Sequence, residues 1–165
     1  MGFDGAAKQD GKNPILTYLK ESGADILCLQ EYSTVQSSKH LSQKDVEREL
    51  KAYPYHRINT VGSGKGHTNK IACYSKFPIL SSRILDYPSE YNGSVLYEIK
   101  IGEDTVTLIN NHLESNKLTK ADKVVYEDML KSPEKEKVKS GARLLIRKLA
   151  EASAIRAPQA DTIAC

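Results

Sequence analysis

Four consecutive apolar residues, Ile26-Leu27-Cys28-Leu29, stand between Gly23-Ala24-Asp25 and the polar pair Gln30-Glu31. A short apolar run with a glycine on one side and a polar stop on the other reads as a strand buried on both faces. The residues before it read as a helix. Asn13 is a natural N-cap, Pro14 suits the first helical position, Ile15, Tyr18 and Leu19 share a face, and Gly23 ends the turn. A helix leading into a buried strand is the rhythm of an α/β fold. No run of about 18 apolar residues exists in the chain, so no segment reads as a membrane-spanning helix.

Further along, an amphipathic segment is expected near Lys44–Lys51, and an apolar strand over Ile71–Tyr74 that ends before Pro78. Val95, Tyr97, Ile99 and Ile101 alternate with Leu96, Glu98 and Lys100, which predicts a half-buried strand. Gly102-Glu103-Asp104 reads as a hairpin loop into a second strand, Thr105–His112. Beyond Leu113 the pattern turns helical. Thr119 with Asp122 makes a capping box, and Ser132-Pro133 reads as the cap and first turn of a long helix. In that helix Val138, Ala142, Leu145, Leu149 and Ala152 form an apolar stripe, and Lys137, Lys139, Arg143, Arg147 and Lys148 are expected on a solvated face.

At 165 residues the chain is long enough for one domain with its own core. A formal net charge of +3 is too weak to argue for a nucleic-acid surface. Cys28, Cys73 and Cys165 are odd in number and contain no Cys-x-x-Cys pair, which fits a reduced compartment or no redox role and not a disulfide framework. Cys28 and Cys73 sit in apolar runs and are read as small hydrophobes. No targeting segment is recognisable, and the sequence leaves localisation open.

Two residues at strand ends could carry chemistry. Glu31 closes the first apolar strand, at the edge where α/β folds build their sites. Alternation puts it on the same face as Leu27 and Leu29, where a carboxylate calls for a metal or cation. His112 ends its own strand, and alternation places Asn110 beside it. An amide and an imidazole side by side suit hydrogen bonding to a phosphate oxygen or a metal-bound water. The glycine-rich loop Gly62–Gly66 fails the phosphate-loop pattern because Gly66, not Ser or Thr, follows Lys65. It reads as a surface loop in which Lys65 and His67 are the candidates for contact with an anionic substrate. Asn92-Gly93-Ser94 matches the glycosylation pattern, which is common by chance.

Three segments taken together resemble the endonuclease/exonuclease/phosphatase superfamily. Asp25-Ile26-Leu27-Cys28-Leu29-Gln30-Glu31 is similar to its Asp-Ile-x-x-Leu-Gln-Glu signature, and Ile71-Ala72-Cys73-Tyr74-Ser75-Lys76-Phe77-Pro78-Ile79 to its Ala-Ile-x-Ser-Lys-Tyr-Pro-Ile strand. Leu108-Ile109-Asn110-Asn111-His112-Leu113 is similar to its Asn-Thr-His-Leu segment, with Asn111 in the Thr place. The resemblance implies an α/β fold that is part of a four-layer sandwich, two mixed sheets packed between helices. It also implies hydrolysis of phosphoester bonds with a divalent metal, magnesium or manganese. Glu31 would then be a metal ligand, His112 would bind the scissile phosphate, and Asn110 would support that neighbourhood. Lipid head groups, sugar phosphates and nucleic acids stay undistinguished as substrates. The loops Ser33–Lys44 and Asn59–Asn69 would face them and carry no aromatic stacking residues.

The departures are equally specific. The family's first strand ends in an Asn that belongs before Met1, and neither Gly-Asp-x-Asn nor Ser-Asp-His occurs after His112. The expectation is a partial domain over residues 1–165, truncated at both ends and inactive by itself, with an uncovered sheet that promotes self-association. A non-catalytic binding or interaction module on half of the same fold is the alternative. Coding sequence flanking Met1 and Cys165 separates the two: the first reading needs the missing motifs there.

Overall fold

The computed structural model describes residues 13–34, 41–62, 69–116, 118–131 and 135–164. They form two units, Met1–His112 and Leu113–Cys165. In the first, the order is α1 (Pro14–Glu21), β1 (Ile26–Leu29), α2 (Gln43–Glu49), β2 (Tyr55–Val61), β3 (Asn69–Ser75), β4 (Ile79–Leu85), β5 (Gly93–Ile101) and β6 (Asp104–His112). The second holds α3 (Lys120–Lys131) and α4 (Lys135–Ala164).

Helix α1 begins as its sequence dictates. The Asn13 side chain accepts from Ile15 N at 3.0 Å and Leu16 N at 3.2 Å, and Pro14 fills the first turn. The chain leaves α1 through Gly23 at φ 70°, a conformation that only glycine adopts without strain. Helix α2 is held by a capping box between Ser42 and Asp45.

Six strands make two three-stranded sheets, ordered β1-β3-β2 and β4-β5-β6, and every ladder among the described residues is antiparallel. Strand β3 is the central strand and is buried on both faces. Its Ala72 and Tyr74 pack outward into a core with Leu16, Leu27, Val46 and Leu50, beneath α1 and α2. Its Ile71 and Cys73 pack inward with Val61, Ile79, Val95, Tyr97 and Ile99, between the sheets. The first unit is therefore three layers, helix on sheet on sheet. The α/β class and the packed pair of sheets expected from the resemblance are observed; the sheets, expected to be mixed, are antiparallel in every ladder among the described residues.

The doubly buried strand is thus β3, not Ile26–Leu29. Strand β1 is an edge strand, with only Leu27 fully buried and Cys28 exposed. An apolar run reports how much surface can be buried, whereas the number of strand neighbours depends on distant chain. Val95, Tyr97 and Ile99 are fully buried as their alternation demands, and β5 passes to β6 through a two-residue loop at Gly102, φ 60°. Strand β2 extends to Val61, so the loop expected from Asn59 starts at Gly62.

The second unit is a pair of helices. A capping box starts α3, with Thr119 N donating to Asp122 Oδ2 at 2.6 Å and Asp122 N to Thr119 Oγ1 at 3.3 Å. The proposed Ser132-Pro133 cap lies outside the described residues. The helices pack tightly at Gly141, where a Cβ would stand 2.6 Å from Met129 Sδ. The buried line of α4 runs through Gly141, Ala152 and Gln159, while Leu149 of the expected stripe is 39% exposed. Lys148 does not join a solvated face. Its Nζ lies 2.6 Å from Asp122 Oδ2, whose side chain is nearly inaccessible. Glu114 N donates to Gln159 Oε1 at 3.0 Å, tying the segment before α3 to the end of α4.

The Lys148 ammonium and the Thr119 cap hold the Asp122 carboxyl down to about 2, against an ordinary value of 3.8. A carboxylate with a depressed folded-state pKa stabilises the fold above its unfolded value and loses that contribution as pH falls through the folded one. The stability difference between wild type and Asp122→Asn, followed by thermal unfolding, will be full above pH 4 and will vanish as pH drops toward 2.

Candidate active site

One end of the two-sheet sandwich gathers the last residues of β1, β2, β4 and β6 and the first of β3 and β5. Antiparallel register makes this unavoidable: Gly93, which opens β5, lies opposite His112, which closes β6. Glu31 and His112 meet here. His112 Nε2 stands 3.8 Å from Glu31 Oε1, with side-chain exposures of 21% and 42%.

Strand alternation alone would not bring them together. Leu27 and Leu29 face the α1–α2 side, so a regular strand would carry Glu31 there too. Instead Glu31 takes φ 51°, the one left-handed non-glycine backbone among the described residues. The ladder slips by one residue at the same place. Register pairs Leu29 with Ala72, which would next place Glu31 opposite Lys70, yet it is Tyr32 N that donates to Lys70 O, at 2.9 Å. Glu31 is therefore the extra residue of a bulge, a device that re-aims one side chain. The expectation that Glu31 continues the Leu27–Leu29 row is corrected: the bulge turns it off that row and toward His112.

Both flanks of Glu31 are clamped. Upstream, Gln30 Nε2 donates to Asn110 Oδ1, while Asn110 Nδ2 donates to Ala72 O at 3.3 Å. Asn110, 2% exposed, thus spends both halves of its amide joining β6 to β1 and β3 across the sandwich. Downstream, the Tyr32 hydroxyl donates to Gln43 Oε1 at 2.6 Å and lies 2.9 Å from the Tyr74 hydroxyl, to which Gln43 Nε2 donates at 3.0 Å. Burial pushes the Tyr32 hydroxyl well above its ordinary range, so this network stays uncharged. Gln30 is the residue that sequence reasoning passed over, although alternation sets it on the face opposite Leu29.

His112 Nδ1 is buried and has no hydrogen-bond partner in the structure. No described residue partners this atom, which leaves it open to a hydrogen bond from a bound group. Beside the site, Gly62, Leu85, Tyr87, Ser89, Asn92 and Gly93 help line a cleft of about 440 Å³. It adjoins His112 through the Gly93–His112 pairing. Lys65 and His67 lie outside the described residues, as does about half of each candidate substrate loop.

A hard divalent cation takes carboxylate oxygen and completes its shell with water. Glu31 supplies one such oxygen and is open enough for water to reach it. No group of three or more His, Cys, Asp or Glu side chains that could enclose a metal occurs among the described residues. Among the described residues the donors fit a largely hydrated ion held through one carboxylate.

The strained backbone makes a test. A non-glycine residue in the left-handed region costs about 1–2 kcal/mol, and the greater unfolded freedom of glycine offsets about half of that gain. Glu31→Gly will therefore raise stability by about 0.5–1 kcal/mol in denaturant unfolding even as it removes the carboxylate. A loss of stability would show that the side chain, rather than the fold around it, holds the bulge.

Comparison with known proteins gives the family. The model of the Endonuclease/Exonuclease/phosphatase family matches residues 2–158. No curated protein matches. Among solved structures, TDP2 from Caenorhabditis elegans is similar at 24% identity and a TM-score of 0.41, over 73% of this chain and 37% of that one. A truncated form of TDP2 from the same organism is similar at 21% identity and TM-score 0.41, over 73% of this chain and 49% of that one. The chain thus spans less than half the length of these solved relatives. With its motifs, its sheet sandwich and a family match over nearly its whole length, the chain belongs to the endonuclease/exonuclease/phosphatase family.

Proposed function

We propose that this chain carries the metal- and phosphate-facing part of a divalent-metal-dependent phosphoester hydrolase, with Glu31 as the magnesium or manganese ligand and His112 as the phosphate contact. The observation that supports it most is the bulge that turns Glu31 to within 3.8 Å of His112. When bound, the cation would supply Lewis-acid polarisation of a phosphoryl oxygen. The chain's own residues do the rest. His112, held 3.8 Å from Glu31, donates from Nε2 to a phosphate oxygen. Asn110 positions rather than reacts, because both its amide groups are engaged within the protein. The cleft beside Gly93 would take the group attached to the phosphate. The phosphoester is thus the partner; whether lipid, sugar or nucleic acid follows the phosphate is a matter for the loops.

The proposal includes a limit on activity. Neither Gly-Asp-x-Asn nor Ser-Asp-His occurs in the sequence, so the residue that would deprotonate water is missing. The domain reading that fits is a partial one over residues 1–165. The sheet edges left unpaired among the described residues, with Leu80 at 55% and Ile84 at 45% exposure on β4, support self-association.

Isothermal calorimetry with magnesium alone will give weak binding to wild type that disappears in Glu31→Ala. Equal binding by the variant would overturn the ligand assignment. Hydrolysis of bis(p-nitrophenyl) phosphate by this chain will not exceed background, and turnover that Glu31→Ala abolishes would show a complete site instead. Light scattering will give a mass that rises with concentration; a constant monomer mass would remove the self-association reading.

A further inference from the structure

Cys28 and Cys73 stand directly opposite each other on β1 and β3. The ladder fixes what kind of pair they make. Lys76 N donates to Asp25 O at 3.0 Å, so Asp25 and Lys76 are a hydrogen-bonded pair. Hydrogen-bonded and non-hydrogen-bonded pairs alternate along an antiparallel ladder. Leu27 with Tyr74 is then hydrogen-bonded, and Ile26 with Ser75 and Cys28 with Cys73 are not. Non-hydrogen-bonded pairs bring their Cα atoms to about 4.5 Å with side chains close, inside the span of about 4.4–6.8 Å that a disulfide bridges.

The two thiols differ in access. Cys73 is fully buried between the sheets, among Ile71, Val95 and Tyr97, whereas Cys28 lies exposed on the edge strand. An exposed thiol that reacts first beside a buried thiol that resolves the product is the arrangement of a reversible peroxide-sensitive pair. An odd cysteine count excludes a framework of structural bridges, but not a single reversible one.

We propose that Cys28 and Cys73 are a redox modification site, converted by hydrogen peroxide to an intramolecular disulfide that ties β1 to β3. The Cys28 thiolate attacks one peroxide oxygen, the O–O bond breaks, and the departing oxygen leaves as water with the Cys28 proton. The Cys73 sulfur then attacks the Cys28 sulfenic sulfur, the S–O bond breaks, and the hydroxyl leaves as a second water with the Cys73 proton. Two thiols lose two electrons and the peroxide gains them. The charge balance of the pair supports this order: hydrogen bonding from Cys73 draws the Cys28 thiol down, while the same contact and burial push the Cys73 thiol up. The bridge would form two residues before Gln30, on the strand that presents Glu31.

The test uses the full chain with Cys165→Ser, leaving only these two thiols. Hydrogen peroxide at neutral pH is expected to lower the intact mass by two hydrogens. Non-reducing peptide mapping is expected to show Cys28 linked to Cys73 at a rate independent of protein concentration, with dithiothreitol restoring both thiols. With Cys73→Ser added, dimedone is expected to label Cys28; with Cys28→Ser added instead, Cys73 is expected to stay unlabelled. Oxygen adducts on Cys28 without linkage in the two-cysteine chain would overturn the proposal. So would linkage between chains that grows with protein concentration.

Discussion

The left-handed backbone of Glu31 is the constraint on which the candidate site depends, and the surrounding chain is arranged to hold it. A residue with a Cβ at φ 51° gives up about 1–2 kcal/mol. A typical intramolecular hydrogen bond returns about 1 kcal/mol net, so the bonds on either flank suffice to offset the strain. Gln30 is fixed to Asn110 on one side, and Tyr32 to Lys70, Gln43 and Tyr74 on the other. What lies between has one conformation left, and that conformation faces His112.

Those clamps in turn rest on β3. Because β3 is buried on both faces, its alternate residues belong to two cores at once: Tyr74 to the one under the helices and Cys73 to the one between the sheets. The carbonyl of Ala72 accepts the Asn110 amide, and the carbonyl of Lys70 accepts from Tyr32. Packing of the two layers and placement of the acidic side chain are therefore one structural fact. A substitution that loosens β3 loosens the site with it.

Local chemistry was legible in the sequence wherever the cause was local. Asn13-Pro14 starts α1, Thr119 with Asp122 caps α3, and Val95, Tyr97 and Ile99 are buried as their spacing demands. That Glu31 and His112 each close an apolar strand, with Asn110 on the His112 face, was legible from the runs that precede them. Three features were not. Edge and centre were exchanged between β1 and β3, because an apolar run carries no record of how many strands will pair with it. The bulge at Glu31 was invisible, since no glycine marks the left-handed position. Lys148 was assigned to solvent, because its partner Asp122 sits on another helix and only the pairing of helices brings the two together.

The central claim is that one bulge makes Glu31 and His112 a single cation- and phosphate-facing site. Paramagnetic manganese reports such a site residue by residue. Titrated into the isotopically labelled chain, it should broaden the amide resonances of Gln30, Glu31 and His112 first, and Glu31→Gln should abolish that broadening. Broadening centred elsewhere, at the acidic turn of Asp45 for instance, or left unchanged by Glu31→Gln, would contradict the account.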